Sequence, residues 1–132
     1  MSERLETWVH TGDQEVDLGR IEAAMDPDLA DAIYELDRCI ECGCCVAACG
    51  TVRMRPEFVG AVGMIRLARF RLDPRDQRTD EDYYELIGNA DGIFGCMSLL
   101  GCHDVCPKGL PLQTQLAFLR RRMAMTGLSK VR

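Results

Sequence analysis

Seven of the eight cysteines fall into two closely spaced runs along the chain. The first run has the spacing C-x2-C-x2-C-x3-C and comprises Cys39, Cys42, Cys45 and Cys49. The second has the spacing C-x5-C-x3-C-P and comprises Cys96, Cys102, Cys106 and Pro107. When Cys96 is aligned with Cys39, Leu99 takes the place of Cys42. Such runs of thiols predict two iron–sulfur clusters, the second with one protein thiolate missing.

The fourth cysteine of each run decides how the ligands are shared. In two-cluster ferredoxins the cysteine before the proline typically ligates the other cluster. This crossed pairing assigns a [4Fe-4S] cluster to Cys39, Cys42, Cys45 and Cys106. It leaves the second cluster with Cys49, Cys96 and Cys102. Because Leu99 offers no thiolate at the fourth corner, we expect the second cluster to be [3Fe-4S].

Other uses of these cysteines match the spacing less well. Structural zinc sites usually combine paired CxxC units or mixed Cys/His sets of four, unlike the x2-x2-x3 series of the first run. Disulfides are disfavoured because Cys42, Cys44 and Cys45 lie too close together and residues 1–10 lack the apolar centre of a secretory signal. Cys44 lies off the ligand spacing, and we interpret it as a packed bystander thiol.

Length and charge limit the remaining possibilities. A chain of 132 residues predicts one domain, which we divide into a lead-in arm over 1–25, anchored by Trp8, and a cluster-binding core over 26–127. The net charge of −5 disfavours nucleic acid as a partner, and no apolar run is long enough to span a membrane. Arginines cluster at 66–75 and 120–122, which indicates solvated helix faces or docking surfaces.

Capping residues and apolar periodicity predict four longer helices and no strands. Their predicted limits are Asp26 to Cys39, Pro56 to Asp73, Thr79 to Gly88 and Pro111 to Gly127. In the third helix we expect the inward side chains to be Tyr83, Leu86 and Ile87. The predicted fold is therefore an all-α, α-helical ferredoxin with two pseudo-repeated cluster-binding units.

The clusters are expected to replace much of the hydrophobic core. A dry shell around them is predicted from Val46, Ala47, Ile93, Phe94, Leu99 and Leu100. With few helices packing on one another directly, the apoprotein should be poorly folded, because cluster binding then supplies folding free energy.

The two runs in full are CIECGCCVAAC, from Cys39 to Cys49, and CMSLLGCHDVCPK, from Cys96 to Lys108. Together with residues 34–45 and 79–88, they resemble the C-terminal domain of the iron–sulfur subunit of fumarate reductase and succinate dehydrogenase. The resemblance is strongest to the bacterial dihaem menaquinol:fumarate reductase type, and the family's ligand assignment agrees with the one above.

The resemblance implies an electron relay through the [4Fe-4S] and [3Fe-4S] clusters, with no bond chemistry on this chain. Its implied partners are a flavoprotein subunit that interconverts fumarate and succinate, and a membrane cytochrome b or quinone-binding anchor. The implied location is peripheral, on the cytoplasmic face of the bacterial inner membrane, in anaerobic respiration or the tricarboxylic acid cycle.

One departure from the family concerns the N-terminal domain that binds a [2Fe-2S] cluster, which this sequence lacks. We expect a shortened form of a longer subunit, beginning at an internal methionine, rather than a naturally split subunit. Two alternatives remain: an electron-transfer subunit of the heterodisulfide reductase or glycolate oxidase kind, and a stand-alone two-cluster ferredoxin or redox sensor. The first usually keeps the cysteine that Leu99 replaces, so Leu99 separates the hypotheses.

Overall fold

Every regular element of residues 26–131, which the computed structural model describes, is helical. The elements are α1 (Pro27–Asp37), α2 (Cys44–Ala47), α3 (Gly50–Met54), α4 (Gly60–Leu72), α5 (Asp80–Ile87), a 3-10 helix (Ile93–Gly95), α6 (Gly101–Asp104) and α7 (Leu112–Lys130). The predicted all-α class is confirmed for this part of the chain. The predicted lead-in arm and Trp8 lie outside the described residues.

Two predicted helix starts are confirmed by their capping contacts. The Asp26 carboxylate accepts hydrogen bonds from the backbone N–H groups of Asp28 at 3.0 Å and Leu29 at 3.1 Å, at the start of α1. At the start of α5, Thr79 and Asp82 form a reciprocal capping box. These side chains satisfy N–H groups that have no partner within the helix, so local sequence determines where both helices begin.

The predicted start of the second longer helix at Pro56 is wrong, because α4 begins at Gly60. The backbone N–H of Val59 donates instead to the carbonyl of Asp91, 3.0 Å away. Gly60 then adopts a φ of +74°, a left-handed conformation that glycine tolerates and that interrupts a helix. A long-range contact therefore delays the helix by four residues relative to its sequence signal.

The predicted stop at Gly127 is also wrong, because α7 continues to Lys130. A Cβ atom at Gly127 would lie 3.0 Å from the ring of Tyr84. This glycine therefore allows α5 and α7 to approach closely rather than ending α7. Leu86 was predicted to face inward, but it is exposed, since the buried face of α5 is formed by Tyr83 and Ile87.

A continuous hydrophobic core joins the longer helices directly. Its members include Leu36 of α1, Met64 and Ile65 of α4, and Leu119 and Met123 of α7. This packing corrects the expectation that few helices would contact one another without clusters. The cysteines lie at the edge of the core, where six of them pack against it: Cys39, Cys45, Cys49, Cys96, Cys102 and Cys106.

Arginines of the first group form ion pairs within the chain. The Arg71 Nε lies 2.6 Å from Asp80 Oδ1, and Arg122 of α7 reaches the same carboxylate at 3.2 Å. Arg75 pairs with Asp73 at 2.7 Å. The Asp80 contacts join α4, α5 and α7, so Arg71, Arg75 and Arg122 are engaged in ion pairs, whereas the sequence indicated solvated helix faces or docking surfaces.

Candidate metal centres

The two cysteine runs have the same backbone conformation at an offset of 57 residues. Two positions after the first cysteine of each run lies a residue with positive φ, namely Glu41 at 55° and Ser98 at 56°. Two positions further on, Gly43 at 76° and Leu100 at 62° repeat the left-handed conformation. Positive φ is uncommon outside glycine, so its recurrence at both positions marks two copies of one loop.

The short helices that follow these loops also match. The Ala47 N–H donates to the Gly43 carbonyl at 3.0 Å, and the Asp104 N–H donates to the Leu100 carbonyl at 3.3 Å. Three more backbone hydrogen bonds recur at the same offset. Their N–H donors, given as equivalent pairs from the two runs, are Val46 and His103, Ala48 and Val105, and Cys49 and Cys106. The predicted pseudo-repeat is therefore present in the backbone as well as in the sequence.

One cavity is bordered by four of the predicted ligands and is here called the four-cysteine cavity. These ligands are Cys39, Cys42, Cys45 and Cys106. Apolar side chains of the core complete the lining, among them Val62, Ile65, Leu110 and Leu112. The first three cysteines come from one loop, whereas Cys106 arrives from the second run. Thiolates facing an apolar wall are the donor set that iron–sulfur clusters require.

A second cavity, here called the three-cysteine cavity, is bordered by Cys49, Cys96 and Cys102. Its volume is about 480 Å³, and it extends from the second loop to one side of α7. Leu99 also lines this cavity. The structure therefore brings the cysteines together in the two crossed sets that the sequence predicts, with a leucine beside the smaller set.

Leu99 faces the first run across the three-cysteine cavity. A Cβ atom added to Gly50 would lie only 3.2 Å from Leu99 Cδ1. Gly50 directly follows Cys49, so the glycine leaves room for the leucine beside a predicted ligand. Leu99 nevertheless remains 68% exposed, which shows that its side chain closes the cavity only in part.

Electrostatic effects within each cysteine set agree with the cavity linings. Burial raises the pKa of the Cys102 thiol, and the nearby thiols of Cys96 and Cys49 raise it further. Burial likewise raises the pKa of Cys45, with an added contribution from Cys39. Thiols that lie close together resist ionisation, because the resulting negative charges would repel one another. A cation such as a bound metal ion compensates for that charge.

Cys44 and Cys42 differ from the other cysteines because both thiols are exposed. A hydrogen bond from the backbone N–H of Cys44 lowers the pKa of the Cys42 thiol. The side-chain hydrogen bond to Cys42 raises the pKa of the Cys44 thiol. The prediction that Cys44 is a packed thiol is therefore wrong, since the turn at Gly43 directs the side chain to the surface. His103, beside Cys102, is exposed as well.

The predicted dry shell is only partly present. Ile93 is buried, and Val46 and Leu100 are half-buried. Ala47 and Phe94, each in a short helix, and Leu99, in the loop before α6, are exposed. Much of the apolar wall comes instead from α4 and α7, through Val62, Ile65 and Leu112 at the four-cysteine cavity and Leu116 at the three-cysteine cavity.

All eight cysteines are free thiols in the structure. Within residues 26–131, no three side chains of the His, Cys, Asp or Glu type converge closely enough to hold a single metal ion. A cubane cluster binds each thiolate at a different iron atom, so its ligands surround a volume instead of meeting at a point. The cysteines of each set likewise surround a cavity.

Two arginines that the sequence analysis did not assign to the site contact the loops. Arg66 of α4 pairs with Glu41, and Arg120 of α7 donates to Ser98 Oγ at 3.0 Å. Glu41 and Ser98 occupy equivalent positions in the two runs, but which arginine reaches each of them depends on how α4 and α7 pack.

Comparison with known proteins supports the same chemistry. The 4Fe-4S dicluster domain family matches residues 35–110. The fumarate reductase iron–sulfur subunit of Wolinella succinogenes is 61% identical over 123 residues, covering 93% of this chain and 51% of that protein. The succinate dehydrogenase iron–sulfur subunit of Bacillus subtilis is 33% identical over 88 residues, 67% of this chain and 35% of that protein.

These matches confirm the resemblance that was inferred from the two cysteine runs. The chain spans about half the length of the Wolinella relative and about a third of the Bacillus relative. Among the helices of the described residues, none combines the length and the apolar character needed to cross a bilayer.

Proposed function

The chain belongs to the 4Fe-4S dicluster domain family, and we propose that it serves as the electron-relay domain of a fumarate reductase or succinate dehydrogenase. The grouping of the cysteines into the two cavities carries this proposal. Electron transfer through iron–sulfur clusters follows from the family and from the similarity to iron–sulfur subunits. The nature of the two clusters and of the partners belongs to the proposal.

The four-cysteine cavity is proposed to hold a [4Fe-4S] cluster through Cys39, Cys42, Cys45 and Cys106. The three-cysteine cavity is proposed to hold a [3Fe-4S] cluster through Cys49, Cys96 and Cys102. When bound, these clusters supply one-electron oxidation and reduction. The leucine at position 99 supports the second assignment, because it stands where the first run has a thiolate.

The protein's own contribution is to hold the two sites side by side and to limit their contact with water. The pKa of Cys45 is raised by Cys102 of the other set as well as by its own neighbours, which supports a short separation between the sites. The apolar residues of α4 and α7 lower the local dielectric constant around the thiolates. Ligand number, burial and hydrogen bonding then determine the reduction potentials.

The proposed partners are those that the resemblance to fumarate reductase and succinate dehydrogenase iron–sulfur subunits implies. They are a flavoprotein subunit at which fumarate and succinate interconvert, a membrane cytochrome b or quinone-binding anchor, and a [2Fe-2S] domain. The proposed location is peripheral, at the cytoplasmic face of a bacterial inner membrane. Within such an assembly, residues 1–132 are proposed to form one domain, with cluster binding confined to 26–127.

Electron paramagnetic resonance of anaerobically purified protein, with iron counted per chain, tests the cluster assignment. We expect a paramagnetic signal in the oxidised sample and about seven iron atoms, four plus three. A silent oxidised sample with about eight iron atoms per chain would mean two four-iron clusters. That result would contradict the assignment at Leu99 and favour a heterodisulfide reductase-like subunit or a stand-alone ferredoxin.

A further inference from the structure

Arg120 makes three hydrogen bonds to residues at the start of the second cysteine run. Its guanidinium donates to the Ser98 hydroxyl at 3.0 Å, to the Ile93 carbonyl at 3.4 Å and to the carbonyl of Cys96. The guanidinium group carries five N–H donors in a rigid, planar fork. One side chain of α7 therefore holds the backbone on both sides of a predicted cluster ligand.

Arg66 has the corresponding place at the first run. It pairs with Glu41, the residue equivalent to Ser98, and its Nη1 lies 3.8 Å from Asp37 Oδ1. Both loops are thus attached, through the same position, to an arginine on a longer helix that follows in the chain. The shared arrangement indicates that each arginine holds its loop in the left-handed conformation described above.

The two arginines differ in the charge of what they bind. Arg66 contacts carboxylates, so its positive charge is compensated locally. The partners of Arg120 among the described residues are a hydroxyl and two carbonyl oxygens, all of them neutral. Arg120 therefore retains a net positive charge beside the second run.

The linings of the two cavities show the same contrast. Charged residues of the four-cysteine cavity are Glu41 and Lys108, one of each sign. The three-cysteine cavity is lined by Arg120 and Arg121, and its described lining contains no carboxylate. Positive charge near a cluster favours the reduced form, which carries one more electron, and this attraction is strong where the dielectric constant is low.

We propose that Arg120 is a positioning residue that holds the Cys96 loop and raises the reduction potential of the cluster in the three-cysteine cavity. Arg66 holds the Glu41 loop through ion pairs whose charges offset one another, so the pairs as a whole change the potential of its cluster little. The inference rests on the proposed function, because it requires that both cavities hold clusters. It goes further, because it attributes a difference in reduction potential between the two clusters to the charge of the groups that each arginine contacts.

Redox titration of the cluster-loaded protein, followed by electron paramagnetic resonance, tests the charge effect. In Arg120→Gln we expect the equilibrium constant for reducing the second cluster to fall about tenfold, a decrease of 59 mV for one electron. Arg122→Gln, the matched control, removes an arginine of the same helix that lines neither cavity, and it should leave both potentials within the error of the titration. Equal shifts in the two variants, or no shift in Arg120→Gln with both clusters present, would overturn the proposal.

Arg120→Lys separates the charge from the hydrogen bonds. Lysine keeps the positive charge but cannot reproduce the guanidinium fork. We expect the potential of the second cluster to stay near that of the wild type, while amide hydrogen exchange near Ser98 becomes faster. A potential as low as that of Arg120→Gln, or unchanged exchange, would count against the proposal. This variant also decides the matter if Arg120→Gln loses its second cluster.

Failure of this inference is distinguishable from failure of the proposed function. If the wild-type protein holds two four-iron clusters, the assignment at Leu99 fails, but the potentials of the two arginine variants can still be compared. If the wild type has one three-iron cluster and Arg120→Gln leaves its potential unchanged, only the inference about Arg120 fails.

Discussion

The two cysteine runs share a backbone and differ in the side chains that it carries. Their loops repeat the positive φ values and the helix that follows, at an offset of 57 residues. At the equivalent ligand position, however, the first run has Cys42 and the second has Leu99. The backbone repeat therefore supplies the scaffold, whereas single side chains decide how many thiols line each cavity.

A second difference concerns how the loops adopt the left-handed conformation. The first run uses Gly43, with φ of 76°, and the second uses Leu100, with φ of 62°. A left-handed conformation costs a residue with a Cβ roughly 1–2 kcal/mol relative to glycine. The surrounding structure evidently supports this strain at Leu100, whose side chain lines the three-cysteine cavity. Strained backbone of this kind is common at functional sites.

The largest expected effect comes from removing equivalent ligands. Cys45→Ser should abolish the cluster of the four-cysteine cavity, and Cys102→Ser that of the three-cysteine cavity. Iron should fall by about four atoms in the first variant and about three in the second. Both variants should also unfold at lower temperature, since cluster binding contributes folding free energy.

Iron analysis and thermal unfolding measure these losses, with Cys44→Ser as the matched control. The control removes an exposed thiol from the same loop and should keep the iron content of the wild type. If Cys44→Ser lost as much iron as Cys45→Ser, the proposed ligand sets would need to be redrawn.

Substitutions at Leu99 and Cys42, the equivalent positions at which the two runs differ, should change the type of cluster that each site binds. Leu99→Cys supplies the missing thiolate, so the iron content should rise by about one atom and the oxidised paramagnetic signal should disappear. Cys42→Leu should have the reverse effect at the four-cysteine cavity. Met97→Cys, which adds a thiol two residues before Leu99, serves as the control and should change neither quantity.

Substitution of Gly43, the glycine of the first loop, should have a smaller effect on stability. Gly43→Ala introduces a Cβ at a φ of 76°, although no atom lies within 4 Å of that Cβ. We expect the free energy of unfolding to fall by about 1–2 kcal/mol through backbone strain alone. Gly43→Asn should lose less, because asparagine tolerates this conformation better. Denaturant unfolding of the loaded protein measures both, and equal losses would point to a cause other than φ.

The smallest expected effect lies away from the loops, at the ion pairs between α4, α5 and α7. Hydrogen bonding from Arg71 is the main cause of the lowered pKa of Asp80, whose reference value is 3.8. A lowered folded-state pKa stabilises the protein above the unfolded pKa, and this contribution disappears as the pH falls through the folded pKa. Asp80→Asn should therefore cost about 0.5–1 kcal/mol near neutral pH and progressively less below about pH 4.

Thermal unfolding of wild type and Asp80→Asn across this pH range measures the difference between them. Loss of cluster at low pH affects both proteins and cancels in the comparison. Neither cluster potential should change, because Asp80 lines neither cavity. A shift of either potential in Asp80→Asn would weaken the argument that only charges at the loops tune the clusters.

The helix boundaries that were predicted correctly are those that residues close in sequence determine. The start of α1 follows from Asp26 and Pro27, and the start of α5 from Thr79 and Asp82, all close in sequence to the N–H groups they serve. The errors at Pro56 and Gly127 arose where distant residues intervene. Asp91 holds the backbone before α4, and Tyr84 packs against the glycine of α7.

Cysteine content and spacing are enough to predict the chemistry of the site and its division into two. Cysteine spacing is a local property that limits which metals the thiols can bind, and the 57-residue offset exposes the leucine at the unequal position. The all-α class likewise follows from helical periodicity and from caps that act within a few residues.

Which charges lie beside each site, in contrast, depends on the packing of the helices. Both arginine groups look alike in sequence, yet Arg66 and Arg71 meet carboxylates, whereas Arg120 meets neutral oxygens of the second loop. Such contacts join residues that are distant in sequence, as between Arg122 and Asp80, 42 positions apart. They depend on how α4, α5 and α7 pack, and helix packing is a property of the whole core rather than of any short stretch of sequence.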